Sequence, residues 1–402
     1  MAMGDETQAV SGLPFPAELI DYVLQPLSDN KKTLSLVSQV STQFKDFAQR
    51  RLFRRIFLNV QSGGTDGEDR VAKYNSFLDA TPHVHDYVQD IYILGNIGIT
   101  IDIRVLRAII DKHSFLKALT LRQVGLTQDG DVPSPMPLQR PHALQVTLFN
   151  CITLRVFAGM LLNSLPSPYN LDLMNFITFP EQGPSEFSKI IQAPRDFRII
   201  SGSNFRFMLD FDDTSAIEIF DLDAYTQAIG DIEVISTFMT TNLQRVHHLR
   251  LNVWHISERE FQFRDLSSAC PSLQTLHIDF QGPASRNALR DMTSMAASQL
   301  RVVTQLIESA NATRLTTLVF ALLLLDNPPK DGPFGLDEQW FALGHAVDRI
   351  PNLSSLRLRL SRSFGRMETV KDARKAGGPI RGAVRDCLAR IFSSRRDILQ
   401  FE

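Results

Sequence analysis

The chain has 402 residues, 44% of them hydrophobic, with 42 Lys and Arg against 44 Asp and Glu for a net charge of -2, so it is long enough for one elongated or two compact domains. That balance gives no basis for nucleic acid as a partner. The longest apolar run, Leu318 to Leu325, is far short of the ~20 residues a membrane helix needs, so no membrane partner is expected. The opening MAMGDETQAVSG has acidic residues and no basic-then-apolar order, which argues against a signal peptide and predicts a disordered stretch over 1–12. Cys151, Cys270 and Cys387 lie far apart and form no C-x-x-C pair, which points to free thiols in a reducing compartment, cytoplasmic or nuclear, and away from a zinc site. Outside the secretory route, the acceptor-like Asn311-Ala312-Thr313 reads as chance.

The first structured stretch runs from Leu13 to Val60. Proline at 16 opens a helix whose apolar residues Leu19, Ile20, Val23, Leu24 and Leu27 fall on one side. Pro26 removes a donor and biases Gln25 away from helical angles, so this helix should end early. After the polar break Ser28 to Lys32 comes a second stripe, Leu34, Val37, Val40, Phe44 and Phe47. Helices this short bury too little apolar area to stand alone, so the head is expected to be completed by the rest of the chain or by another protein.

The run Phe15-Pro16-Ala17-Glu18-Leu19-Ile20-Asp21-Tyr22, then Thr33-Leu34, then Phe44, then Leu52-Phe53-Arg54-Arg55-Ile56-Phe57-Leu58 resembles an F-box of the form common in large fungal families. Two departures stand out. The family's S-L-V falls on Ser38-Gln39-Val40, and Pro26 replaces a helix former. The resemblance implies an all-α head over 13–60 that binds a Skp-type adaptor, and through it a cullin. Its docking face would be Phe15, Pro16, Leu19, Ile20, Leu24, Leu27, Val40 and Phe44.

Residues 61–70, QSGGTDGEDR, read as a loop or linker, and the carboxylates Asp66, Glu68 and Asp69 do not follow the EF-hand pattern. Beyond residue 80 a motif apolar-x-x-apolar-x-apolar keeps returning. Its copies begin at Val88, Leu116, Ala143, Val246, Leu273, Leu315 and Leu353, with a shorter relative at Leu171-Asp-Leu173. The copies recur about every 25 to 28 residues, and the wide gap from Leu171 to Leu249 leaves room for two degenerate ones, at Phe197-Arg-Ile199 and Ile217-Glu-Ile219. Two later steps are longer, with a polar helix expected around Asp291 to Ala310 and a loop over 326–335.

This period is similar to that of leucine-rich repeats, which commonly follow an F-box, and Val146-Thr-Leu148-Phe-Asn-Cys151 has the ending frequent in that class. The expected fold is therefore an α/β solenoid: the helical head, then a curved, leucine-rich-repeat-like parallel sheet over 71–365. Leu106 to His113, Phe157 to Ser164 and Phe341 to Arg349 are expected to supply helical returns. A capping segment over 366–402, amphipathic from Ile380 to Leu399, closes the chain.

Strand alternation would turn the residues between the apolar ones outward. The substrate-facing candidates are Tyr92, Arg122, Phe149, Met174, Arg250, His277, Arg357 and Arg359, with an acidic middle at Asp210, Asp212, Asp213, Asp221 and Asp223 and a basic C-terminal end suited to an acidic segment. No phosphate loop, nucleophile elbow or H-E-x-x-H occurs, and the nine histidines make no metal-ligand spacing with cysteine. No cofactor and no catalysis are expected. The reading is a substrate-recognition subunit of a cullin-RING ubiquitin ligase, holding an unidentified protein on its repeats. The alternatives are a repeat scaffold that recruits no ligase and, more remotely, a metal-dependent hydrolase built on the aspartates.

Overall fold

A computed structural model describes residues 16–40, 42–60, 66–96, 98–128, 139–179, 189–191, 193–200, 208, 210–223, 234, 237–239, 243–252, 266–281, 290–310, 314–324, 337–362 and 378–402. The expectations for 1–12, for the loop 326–335 and for Asn311-Ala312-Thr313 lie outside these residues.

Three short helices come first, α1 (Ala17–Leu24), α2 (Lys31–Val37) and α3 (Thr42–Phe53). Pro16 holds extended angles at the N-cap of α1, and a 3-10 turn, Gln25–Leu27, ends that helix where Pro26 withdraws its donor. Asn30 caps α2, its side chain accepting from the Thr33 N–H at 3.1 Å. Ile20, Leu24, Leu34 and Ala48 form a small core of their own, lined by Leu27, Val37, Phe44, Phe47 and Leu52.

Only Arg54 separates α3 from β1 (Arg55–Asn59), so the sheet starts inside the segment expected to be all-helical. The β-branched and aromatic run Ile56-Phe57-Leu58 favours a strand, and pairing with a neighbour overrides the helical reading. α4 (Asp66–Ala80) replaces the C-terminal half of the expected linker. Val71, Tyr74 and Leu78 bury its inner side.

From β2 (Asp90–Leu94) a long strand followed by a short one recurs, twice with a described helix after it. β3 (Thr100–Asp102) leads into α5 (Ile103–Lys112). β4 (Ala118–Arg122) is followed by β5 (Gly125–Thr127), β6 (Gln139–Phe149) by β7 (Ile152–Leu154) and α6 (Arg155–Asn163), and β8 (Ser167–Met174) by β9 (Ile177–Phe179). The long strands continue as β10 (Asp196–Ile200), β11 (Ile219–Asp223), β12 (His248–Asn252), β13 (Thr275–Gln281), β14 (Thr317–Leu324), β15 (Ser355–Arg362) and β16 (Leu399–Phe401). Between them lie α7 (Leu266–Ala269), α8 (Arg290–Ser309), α9 (Asp337–Asp348) and α10 (Gly378–Ile391).

Among the described residues the long strands make one twelve-stranded sheet, β1-β2-β4-β6-β8-β10-β11-β12-β13-β14-β15-β16, with parallel neighbours throughout and no closure into a barrel. The short strands make a second, four-stranded parallel sheet, β3-β5-β7-β9. The chain is thus an α/β protein dominated by one large parallel sheet.

Register puts like residues in rows. Ile91, Leu119, Val146, Leu171, Phe197, Phe220, Leu249, Leu276, Leu318 and Leu356 form one buried row, and Ile93, Leu121, Leu148, Leu173, Ile199, Leu222, Leu251, Ile278, Phe320 and Leu358 form the next. The copy expected at Ile217-Glu-Ile219 therefore sits three residues further on, as Phe220-Asp-Leu222, with Ile217 as the buried first apolar position. A parallel sheet covered on both faces has near-continuous apolar strands, whereas burial alternates in β2, β4 and β12, leaving the opposite face open there; at β13 and β14 that face is covered, with His277, Asp279 and Val319 buried.

The core runs unbroken from Val60 to Phe392. α8 belongs to it through Leu300, Val303, Leu306 and Ile307, so the expected polar insertion is a packing helix whose apolar stripe was obscured by its many Ser, Thr and Gln residues. The C-terminal segment does more than cap: β16 adds a strand beside β15, and Arg395 donates to the carbonyls of Asp348 at 2.7 Å and Ile350 at 2.8 Å, satisfying the end of α9.

The turns after the long strands are also in register. Gln123, Asn150 and Asn175 share left-handed φ angles of 55°, 51° and 51°, and Asn175 Nδ2 donates to Asn150 Oδ1 at 2.9 Å. At the matching turn after β2 stands Gly95, where a Cβ would meet Val124 Cγ1 at 2.4 Å and the Gln123 carbonyl oxygen at 2.7 Å. Asn150→Val is expected to destabilise the chain by about 2–3 kcal/mol, combining the left-handed penalty with a lost hydrogen bond. Asn150→Gly should cost less than half of that in urea unfolding, since glycine accepts the angle.

Candidate functional site

Two surfaces carry the residues singled out above. On the head, Ile20 and Leu24 are inside its small core, whereas Leu19, Tyr22 and Val23 are 52%, 73% and 60% exposed. The cause is helical geometry: Leu19 and Ile20 are neighbours in sequence and so about 100° apart round the axis, while Leu19, Tyr22 and Val23 share a face. Leu36 and Val40, 58% and 74% exposed, add to the uncovered apolar surface. The expected docking face therefore divides. Pro16, Leu19 and Val40 are outside, Ile20 and Leu24 are structural, Leu27 and Phe44 are half-buried against the head core, and Phe15 lies outside the described residues. Tyr22, Val23 and Leu36 belong to the exposed set but lie outside the docking face that the resemblance implies.

The head meets the sheet through polar contacts as well as Phe53, which packs on the main core. Arg51 donates to Asp21 Oδ1 at 2.7 Å and to Ser28 Oγ at 2.6 Å, tying α3 to α1. Lys31 Nζ donates to the Arg55 carbonyl at 3.3 Å, and the Arg50 guanidinium lies over the rings of Phe47 and Tyr87.

The second surface is the open face of the large sheet, and the eight outward candidates all lie on it. Its N-terminal part is aromatic. Tyr92 stacks on Phe57 with ring centroids 5.1 Å apart, the Arg122 guanidinium sits 4.7 Å from the Phe149 ring, and Arg122 reaches the Tyr92 hydroxyl at 3.4 Å. Met174 follows Phe149 in the same row. Phe57, 54% exposed, is the member the sequence reading missed, because its segment had been assigned to the head.

Further along the face comes a ladder of alternating charge, which stops at β14, where Val319 and Ala321 hold the two outward rows. Asp172, Arg198, Asp221, Arg250 and His277 occupy one row of consecutive strands, with Asp279 in the row beyond. Arg198 lies 3.2 Å from Asp221, and Arg250 lies 3.5 Å from Asp221 and 2.6 Å from Asp279. His277 Nε2 is 3.3 Å from Asp279 Oδ1. Burial pushes the Asp279 carboxyl up, but His277 and Arg250 beside it outweigh that and hold it below the usual carboxylate range. Burial, with the His277, His247 and Arg250 charges, pushes His248 down and favours its neutral form.

Arg357 and Arg359 are matched by Glu402 on the edge strand side, the former at 3.7 Å. Asp221 of the expected acidic middle and the arginines of the expected basic end are therefore paired with opposite charges, and His277 is buried rather than offered to a ligand. Cross-strand neighbours are about 5 Å apart, close enough to pair, and sequence position alone does not show which strands are neighbours.

The aspartates read as a possible cation site are likewise dispersed. Asp210 pairs with Arg155, Asp212 lies 3.6 Å from Lys189 Nζ, and Asp213 accepts from the Ser215 N–H at 2.7 Å. The side chain of Asp223 lies outside the described residues, among which no His, Cys, Asp and Glu group is arranged to hold a metal ion. All three cysteines are free and buried, with burial pushing the Cys151 thiol up to about 11 and Cys270 to about 12. No described helix is long and apolar enough to cross a membrane.

Fold and surfaces thus define an α/β chain with one open sheet face and an apolar helical head. No family model matches the sequence, and no curated protein matches it either.

Arg250→Met is expected to destabilise the chain by about 2–3 kcal/mol, below the ~3–5 kcal/mol of a fully buried pair because Arg250 is 24% exposed. Asp279 has a depressed folded-state pKa, so its contribution is present above about pH 4 and is lost as pH falls through the lower folded-state value. Asp279→Asn should therefore lower the urea midpoint at neutral pH, and the gap from wild type should narrow on acidification.

Proposed function

We propose that this chain is a non-catalytic adaptor: its head recruits a Skp-type adaptor of a cullin-RING ubiquitin ligase, and its repeat-like sheet holds a protein substrate. The observation that carries the reading is the uncovered apolar surface of the head. Leu19, Tyr22, Val23, Leu36 and Val40 stand outside a core of four fully buried side chains, and so much exposed apolar surface on so small a unit suits an interaction site. The same stretch carries the F-box resemblance. The register of the long strands at the period of leucine-rich repeats supports a solenoid, with the open face as the cargo side.

On this reading the mechanism is proximity. Cargo on the open face and the ligase on the head raise the local concentration of a target lysine, and the chain makes no bond itself. The aromatic end of the face, around Phe57, Tyr92, Arg122 and Phe149, is the natural contact, since aromatic and arginine side chains dominate binding energy at interfaces. Buried free thiols fit a reducing compartment, cytoplasmic or nuclear.

The double variant Val23→Asp and Val40→Asp alters exposed positions and should leave the head folded. It is expected to weaken capture of a purified Skp-type adaptor at least about 30-fold, corresponding to ~2 kcal/mol. A wild-type chain that captures no adaptor, or a variant that captures it equally well, favours the scaffold alternative. Ile20→Asp is the contrasting control: it places a charge in the head core and should unfold that unit.

A further inference from the structure

Where the head meets the sheet, Ser28, Asp29, Lys31, Arg51, Leu52, Arg54 and Arg55 line a partly enclosed pocket of about 330 Å³. Four of these seven residues are cations and one is a carboxylate. Their charges are not equally committed. Arg51 is tied to Asp21 and Ser28, and Arg55 lies 3.1 Å from Asp90 Oδ2. Lys31 reaches only a backbone carbonyl, and the Arg54 guanidinium has no partner among the described residues, although its own carbonyl is held by the N–H groups of Gln89 and Asp90 at 2.9 and 3.0 Å.

The lining narrows the choice of occupant. Lysine and arginine side chains donate and do not accept, so a metal ion is excluded and an acceptor-rich ligand is favoured. Among the described residues Leu52 is the single apolar side chain in the wall, which disfavours a lipid tail or an aromatic drug-like molecule. The volume lies at the bottom of the ~300–1,000 Å³ range of ligand pockets, so the ligand is small. A long polyanion is disfavoured, because Asp21 and Asp90 already pair with Arg51 and Arg55, Asp29 is part of the lining, and the whole chain has a net charge of -2.

We propose that this junction is a binding site for a small, freely diffusing phosphate compound, held by Arg54 and Lys31 with Arg51 and Arg55 as the supporting walls. Phosphate offers several acceptor oxygens to converging donors and matches the planar fork of arginine. The site joins three pieces of the molecule, the start of α2, the end of α3 and the first residue of β1, so an occupant braces the head against the sheet. It does not depend on the adaptor reading.

The test is calorimetric titration of the full chain with inorganic pyrophosphate at low ionic strength. One saturable site is expected, weakened at least tenfold in the double variant Arg54→Met and Lys31→Met and tightened two- to threefold in Asp29→Asn. Lys32→Met, a neighbouring cation outside the pocket, should bind as wild type does. Unchanged thermal melting of the ligand-free double variant would show that it is folded. Absence of saturable binding, equal affinity in the double variant, equal weakening by Lys32→Met, or capture of a phosphoserine peptide without pyrophosphate binding would each overturn the proposal.

Discussion

The parallel register of the long strands is the constraint on which everything else rests. Each strand contributes two apolar residues to the buried side, and those pairs stack on their counterparts from β2 to β15. A slip of one residue in any strand would send its pair to solvent and bring polar residues into the core, so register is specified at every step by burial on one face. The turns reinforce it. The carbonyls of Arg122, Phe149 and Met174 accept from the N–H groups of Gly95, Gln123 and Asn150, and left-handed residues recur at the same place in successive units.

Because register is fixed, so is the pattern on the opposite face. Most side chains there are partly exposed, with His277, Asp279 and Val319 buried, and two chemistries divide the surface. Toward the N-terminal edge, rings and a guanidinium lie against one another. Toward the C-terminal edge, carboxylates and cations pair across neighbouring strands on either side of the uncharged Val319 and Ala321. Such partly desolvated pairs contribute little net stability when intact, but losing one member leaves a charge stranded, so the ladder resists single substitutions. An electrically quiet stretch beside an aromatic one confines attractive contacts to one end of the face.

Much of this was legible in the sequence. The apolar-x-x-apolar-x-apolar motif marked most long strands because its two-residue alternation comes directly from pleated geometry. What escaped had weaker or conflicting local signals. β1 was concealed inside a helical-looking segment, since Ile56-Phe57-Leu58 becomes a strand only when β2 is beside it. The start of α4 was read as a linker from its glycine and charges, though Val71, Tyr74 and Leu78 lie at helical spacing just beyond. The second sheet rests on three-residue strands, too short for any periodicity to register. On the head, grouping Leu19 with Ile20 overlooked the angle between adjacent helical residues, which turns one outward and the other inward.

The near-direct passage from α3 into β1 has a mechanical meaning. A single residue, Arg54, separates a helix anchored by Arg51 from a strand hydrogen-bonded along the sheet edge, so there is no slack for the two to swivel about. Whatever grips the helices is thereby held at a set distance and bearing from whatever lies across the strands, in the manner of a bracket rather than a tether. Geometry of this sort is inherited from the covalent chain itself, and lengthening that one-residue joint would be the most economical way to abolish it.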